Sequence, residues 1–250
     1  PRYRDYIAWL ATQSHDAEQA FWRAQLADLD SGEALPAPAQ AGEGGYVTEA
    51  RVDIAALRAY AAQLAVPLTA VLQAAWALLV SRYTNTADAC FGLTVSGRPP
   101  ALADAGRIAG LFINTVPMRL RLDADESVAA LCRRARDLSF AVQANDRLPL
   151  AQIAALAGVS GAAALFQSLL VVENIPFDTT VALRGGATCE RVHATSATNL
   201  PLLVQLTPEA DQLHLLLQSR RAQLDDAFVE RVLADWQQLI GELPRLGDTR

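Results

Sequence analysis

Residues 67–84, PLTAVLQAAWALLVSRYT, restrict the possible folds more than any other stretch of this chain. From Thr69 the spacing is helical, yet apolar side chains fall on nearly every side. A helix with no polar face has to be covered all round, so it belongs in the core of a layered domain. It runs directly into DACFGLTVSGRP, a strand too apolar to have a wet face, stopped by Ser96-Gly97-Arg98-Pro99.

The segments around this pair supply the layers. DAEQAFWRAQLADL carries Phe21, Trp22, Gln25, Leu26 and Leu29 on one helical face, and Asp16 with Gln19 three residues on predicts a capping box at its start. Residues 31–45 read as a Gly/Pro/Ala-rich loop, 46–52 as a strand and 53–64 as a helix. A strand is expected over 114–122. An amphipathic helix is expected within 125–146, with Val128, Leu131, Cys132, Ala135, Leu138 and Val142 on its face. A short helix at PLAQIAALAG precedes an apolar strand ending at Glu173-Asn174-Ile175-Pro176. LPLLVQLTP and LHLLLQSRR read as strands. The last helix carries Phe228, Val232, Trp236, Leu239 and Ile240. Fully apolar strands interleaved with helices predict an α/β domain built on a layered mixed β-sheet with flanking helices.

Composition narrows the function classes. With 21 basic against 27 acidic residues and no basic stripe, nucleic acid is not expected as a partner. The longest apolar run contains Gln73 and is too short to span a membrane, and PRYRDYIAWL lacks the build of a signal peptide, so a cytoplasmic location is expected. Cys90, Cys132 and Cys189 are odd in number and widely spaced, which reads as buried free thiols. His15, His193 and His214 match no zinc or HExxH spacing. GVSGA at 158–162 lacks the second glycine of a nucleophile turn and precedes a strand rather than leaving one. Gly44-Gly45 and Gly185-Gly186 do not open helices after strands, as phosphate loops do. Asp225-Asp226 at a helix start needs only the helix macrodipole to explain it. No metal or bound cofactor is expected, and no self-contained active site is legible.

One stretch remains unexplained by these rules: RIAGLFINTVPMRLRL, residues 107–122. Gly110 permits a close approach that a side chain would forbid, Leu111, Phe112 and Ile113 suit a core or a channel wall, and Asn114 and Thr115 suit backbone hydrogen bonding at a strand entry. Together with three other stretches it resembles the condensation domains of nonribosomal peptide synthetases. YRDYIAWL is similar to their Tyr-x-Asp-Tyr/Phe-Ala-Val-Trp motif at Tyr3, Asp5, Tyr6 and Trp9. IAGLFINTVPMRL is similar to their Gly-x-Phe-Val-Asn-Thr…Arg motif at Gly110, Phe112, Asn114, Thr115 and Arg119. Residues 67–99 resemble the buried helix and strand ending in Ser-Gly-Arg-Pro, and LFQSLLVVENIP the strand ending in Glu-Asn-x-Pro. A further motif is only half kept: NDRLPLAQI has Asn145, Asp146 and Pro149, but Leu150 where an aromatic residue would stand.

The resemblance implies one lobe of a chloramphenicol-acetyltransferase-like pseudo-dimer. The family's His-His-x-x-x-Asp-Gly motif would precede Tyr3 and is not in the chain, so residues 1–250 are expected to be the C-terminal lobe. Its expected partners are the N-terminal lobe of the same domain, donor and acceptor peptidyl carrier proteins and an adjacent adenylation domain. Substrates would arrive on the 4'-phosphopantetheine arms of the carriers. Asn114, Asn174, Ser96, Arg98, Gly110 and Phe112 are the implied tunnel residues. Plainer roles stand beside these: a conformational lock for Gly110, a strand-ending turn for Asn174, and a structural ion pair for Arg98. Trp9 and Trp22 read as anchors of helix to sheet. The arginines of RRARD (133–137) are candidates for carrier docking or a solvated helix face. A noncatalytic docking platform for a tailoring enzyme, or an epimerising relative, are the alternatives.

Overall fold

The computed structural model describes residues 2–29, 35–38, 40–173, 181–182, 188–189 and 199–246. In chain order the elements are α1 (Tyr3–Ala11), α2 (Asp16–Gln25), β1 (Gly45–Asp53), α3 (Ala55–Gln63), α4 (Leu68–Thr84), β2 (Asp88–Val95), β3 (Asn114–Arg121), α5 (Val128–Ala144), α6 (Leu150–Leu156), β4 (Ser168–Val172), β5 (Val181–Ala182), β6 (Thr188–Cys189), β7 (Leu202–Glu209), β8 (Gln212–Arg220) and α7 (Asp226–Leu246). Six strands form a mixed sheet in the order β1-β8-β7-β4-β2-β3. Its centre is parallel, β7 with β4 and β4 with β2, and antiparallel pairs close both ends. β5 and β6 form a separate two-stranded pair.

The all-apolar helix lies where its sequence requires. α4 packs against β2 and between α5 and α7. Residues Ala70–Ala77 of α4 are buried without a break, including Gln73. Trp76 stacks on Trp236 of α7 with ring centroids 4.8 Å apart, and its Nε1–H donates to Ser168 Oγ at 3.2 Å, which satisfies the indole in the core. The other indole predicted as an anchor, Trp22, is fully buried and donates to the Asn145 carbonyl at 2.9 Å. Cys90 and Cys132 are both fully buried, and burial pushes the Cys132 thiol up to about 12. Among the described residues no single helix is long and apolar enough to cross a membrane; α3 and α4 reach that only as a pair bent by 103°.

Two local expectations need correction. The capping box at Asp16 does not form: His15 is the N-cap residue, and the Asp16 N–H donates to Ser14 Oγ instead. The cap moves because Ser14 offers a hydroxyl two residues back, leaving Asp16 free to accept from that same hydroxyl at 3.0 Å. Trp9 does not anchor a helix to the sheet. It stacks on Tyr6 in a second, small apolar cluster with Ile108 and Phe112, set apart from the main core. By contrast, α5 starts at Val128 under a Ser127 cap and buries Leu131, Cys132, Ala135 and Val142 as its spacing predicts.

Candidate functional site: the 96–114 segment and its supports

β2 and β3 are antiparallel neighbours whose register sets Val95 opposite Asn114. The segment between them, 96–113, folds away from the sheet and onto α1. It leaves β2 through Gly97, whose φ is +60° and whose absent side chain makes room for the Phe112 carbonyl: a Cβ at Gly97 would lie 1.9 Å from that oxygen. Arg98, itself exposed, next bridges the segment, its Nη1 donating to the carbonyls of Ala105 (2.6 Å) and Ile108 (3.0 Å) while its guanidinium lies 4.2 Å above the Phe112 ring. The ion pair expected of Arg98 is replaced by these carbonyls and the ring. Ser96 is exposed at the end of β2.

The two family-like motifs meet here. Tyr3 and Tyr6, one turn apart on α1, both contact Phe112, at 5.5 Å edge-on and 4.4 Å tilted. The Tyr3 hydroxyl donates to the Leu111 carbonyl at 2.6 Å, and its ring fills the space that a Gly110 side chain would take. Asp5 accepts from the Arg2 N–H at 2.7 Å and so closes the first turn of α1. Burial and the nearby Tyr3 raise the pKa of Tyr6 above its ordinary value. Phe112 is thereby held inward, and its neighbours turn outward. Leu111 is 72% exposed and Ile113 61%, and Ile7 on α1 is also exposed. Burying such side chains would each contribute roughly 1.5–3 kcal/mol.

Asn114 begins β3 with its amide fully engaged. Nδ2 donates to the carbonyls of Asp146 (2.8 Å) and Leu148 (2.9 Å), and Oδ1 accepts from the Thr115 N–H (2.9 Å). This side chain joins the strand entry to the turn between α5 and α6. Asn174 lies outside the described residues, as do His193 and Gly185-Gly186.

Sequence reasoning missed what lies behind that turn. Glu18, on α2, is 1% exposed, and its Oε1 accepts from the N–H groups of Arg147 (2.6 Å) and Leu148 (3.0 Å). Its Oε2 lies 3.0 Å from His15 Nδ1 and 3.5 Å from Arg147 Nε. Beside it, burial and the Glu18 charge push the Asp146 carboxyl up to about 6. The one available signal is spacing: Glu18 stands four residues before Trp22 and eight before Leu26, on the apolar stripe rather than off it.

Arg119, the last position of the second motif, is a fastening point rather than a site group. It is 4% exposed, bonds Asp88 through Nε at 2.7 Å, and reaches the carbonyls of Gln25 and Asp28 at the end of α2, each at 3.3 Å. Two open clefts of about 600 and 510 Å3 flank Arg121 and Arg134 at the far end of β3, and both arginines are already held, Arg134 by Glu126 and Arg121 by the Ala27 carbonyl. Within RRARD, Arg136 pairs with Asp137.

Comparison with known proteins identifies the family. Residues 1–248 match the family model described as condensation domain. The chain is 29% identical to a linear gramicidin synthase of Brevibacillus parabrevis over 98% of its length, and 32% identical to chondramide synthase cmdD of Chondromyces crocatus over 83%. It spans only 5% and 6% of those two proteins. Its fold superposes on the X-domain from teicoplanin biosynthesis with a TM-score of 0.81 at 20% identity, covering 99% of this chain and 60% of that one. The six-stranded mixed sheet with its flanking helices is the chloramphenicol-acetyltransferase-like fold of these neighbours. The chain belongs to the condensation-domain family of nonribosomal peptide synthetases.

Proposed function

We propose that this chain is the C-terminal half of a condensation domain and works only when joined to an N-terminal half that carries the double-histidine motif. The observation that carries the reading is the outward apolar edge of the 96–114 segment. Tyr3, Tyr6 and Arg98 hold Phe112 in place, and Leu111, Ile113 and Ile7 are left facing out. A segment fastened this firmly, with large apolar side chains on its free side, suits a wall against which a second lobe closes.

The reaction is amide formation between two tethered substrates. The amine of an aminoacyl group on one carrier attacks the carbonyl carbon of an acyl or peptidyl thioester on the other. A C–N bond forms, the C–S bond breaks, and the released arm takes up a proton as the ammonium loses one. Both substrates come on 4'-phosphopantetheine arms, so this lobe contributes channel wall and part of the carrier-docking surface, and binds no cofactor of its own. Thioester aminolysis runs downhill, and the protein mainly orients the two ends and keeps water out. Phe112, Gly110, Ser96 and Arg98 shape the wall, and Asn114 fixes its junction with β3. Asn174 is the further amide proposed to orient a substrate carbonyl or amine.

A second reading, a docking platform for a tailoring enzyme, draws on the likeness to an X-domain that was solved in complex with OxyB from teicoplanin biosynthesis, at 21% identity.

The deciding experiment mixes this chain with a separately purified N-terminal lobe bearing His-His-x-x-x-Asp-Gly, then measures peptide formation between two loaded carriers. Peptide formed only in the mixture supports the half-domain reading. Association of the lobes without peptide, with carriers shown to be loaded, supports the platform, and peptide formed by this chain alone overturns both.

A further inference from the structure

We infer that Glu18 is a positioning residue that sets the place of the 110–114 segment through the turn at 145–148. Both sides of the turn are bonded through its backbone. The Asn145 carbonyl accepts from Trp22, the Arg147 and Leu148 N–H groups donate to Glu18, and the Asp146 and Leu148 carbonyls accept from Asn114. The turn is a plug between two clamps, α2 on one side and the Asn114 amide on the other.

The physical argument rests on what a buried carboxyl group demands. Glu18 gains nothing by leaving water unless it is fully bonded, and it finds four groups: two N–H donors, the Arg147 guanidinium and the His15 ring. A methyl group at this position would satisfy the helix and the core alike, but it would leave two buried N–H groups unpaired. The turn would then shift to hydrate them. Its two carbonyls would move with it, and Asn114 would lose the partners that hold the first residue of β3. Leu111 and Ile113 lie within three residues of that point.

This inference rests on the proposed function only for its catalytic consequence, so the test has two arms. The first uses the 250-residue chain and reads amide hydrogen exchange at Thr115, whose N–H donates to Asn114. Glu18→Ala should speed that exchange about tenfold while the amides of α4 stay within about twofold. Glu18→Gln, which keeps an acceptor oxygen, should restore most of the protection. The double variant Glu18→Ala/Asn114→Ala should exchange no faster than Asn114→Ala alone, because both act through one connection. Unchanged Thr115 exchange in Glu18→Ala, or effects of Glu18→Ala and Asn114→Ala that multiply, would overturn the inference. Should Glu18→Ala not fold, Glu18→Met, which fills a similar volume without an acceptor, takes its place in both comparisons with the same outcomes.

The second arm joins the chain to its N-terminal lobe. Glu18→Ala should lower kcat about tenfold at unchanged KM for the loaded carriers, and Glu18→Gln should recover most of it. A wild-type pair that forms peptide at a kcat insensitive to Glu18→Ala overturns the positioning role. A wild-type pair that forms none refutes the proposed function instead, and the exchange result alone then decides for or against the connection.

Discussion

Tyr3 occupies the side-chain position of Gly110. A Cβ on Gly110 would sit 2.1 Å from Tyr3 Cδ2, and the ring cannot swing away without giving up its bond to the Leu111 carbonyl. Gly110→Ala is therefore expected to expel Tyr3 and loosen α1, at a cost of about 1–3 kcal/mol. Thermal unfolding together with proteolysis near the start of the chain checks this; Tyr3→Ala in the same background should remove the clash and make the glycine replaceable.

Asp88 neutralises a guanidinium that has almost no access to water. Asp88→Ala should destabilise the chain by about 3–5 kcal/mol, since Arg119 would keep only carbonyl partners. Arg121→Ala, which removes an exposed partner of the same carboxylate, should cost less than about 1 kcal/mol. Urea titration of the two variants side by side reads the difference.

Asp146 gives stability a pH dependence of unusual sign. Its pKa in the folded chain, about 6, lies above the ordinary 3.8, so the folded state holds this proton to higher pH than the unfolded chain does. Stability therefore falls as pH rises from about 4 through 6 and is level above that. The groups facing the carboxyl are Glu18, which with burial raises the pKa, and Arg147, which lowers it; the Tyr6 phenol is also near. Asp146→Asn should remove this slope and make the chain about 1–2 kcal/mol more stable than wild type at pH 7.5, with no gain at pH 4. Guanidinium unfolding at both pH values tests it.

Cys132 should be inert while the chain is folded. With its thiol pushed up to about 12, it presents almost no thiolate at pH 8. Alkylation followed by peptide mass analysis should find Cys132 labelled only when denaturant is present, and labelling at the rate of a free thiol in native buffer would contradict its burial.

The legibility of the chain divides along the range of the forces involved. α4 is legible because an apolar surface all round leaves a helix one destination, and α5 because its stripe repeats at helical spacing with Ser127 to cap it. Gly110, Phe112, Tyr3 and Tyr6 are legible as motif residues, but nothing in either stretch says that one fills the space the other leaves. Asn114 reads as a candidate facing substrate; its amide is taken up by carbonyls of a turn more than thirty residues on. Glu18 escapes notice because a glutamate early in an amphipathic helix ordinarily faces water.

By itself the sequence determined the periodic elements, the buried helix and the layered α/β class, because side-chain alternation along a strand or helix is recorded locally in which residues are apolar. The tertiary structure alone decided the order of strands across the sheet, the meeting of Tyr3 with Gly110, and the burial of Glu18 and Arg119. The physical reason is that a polar group can leave water only where distant parts of the chain bring it partners, and those partners exist only once the chain has folded.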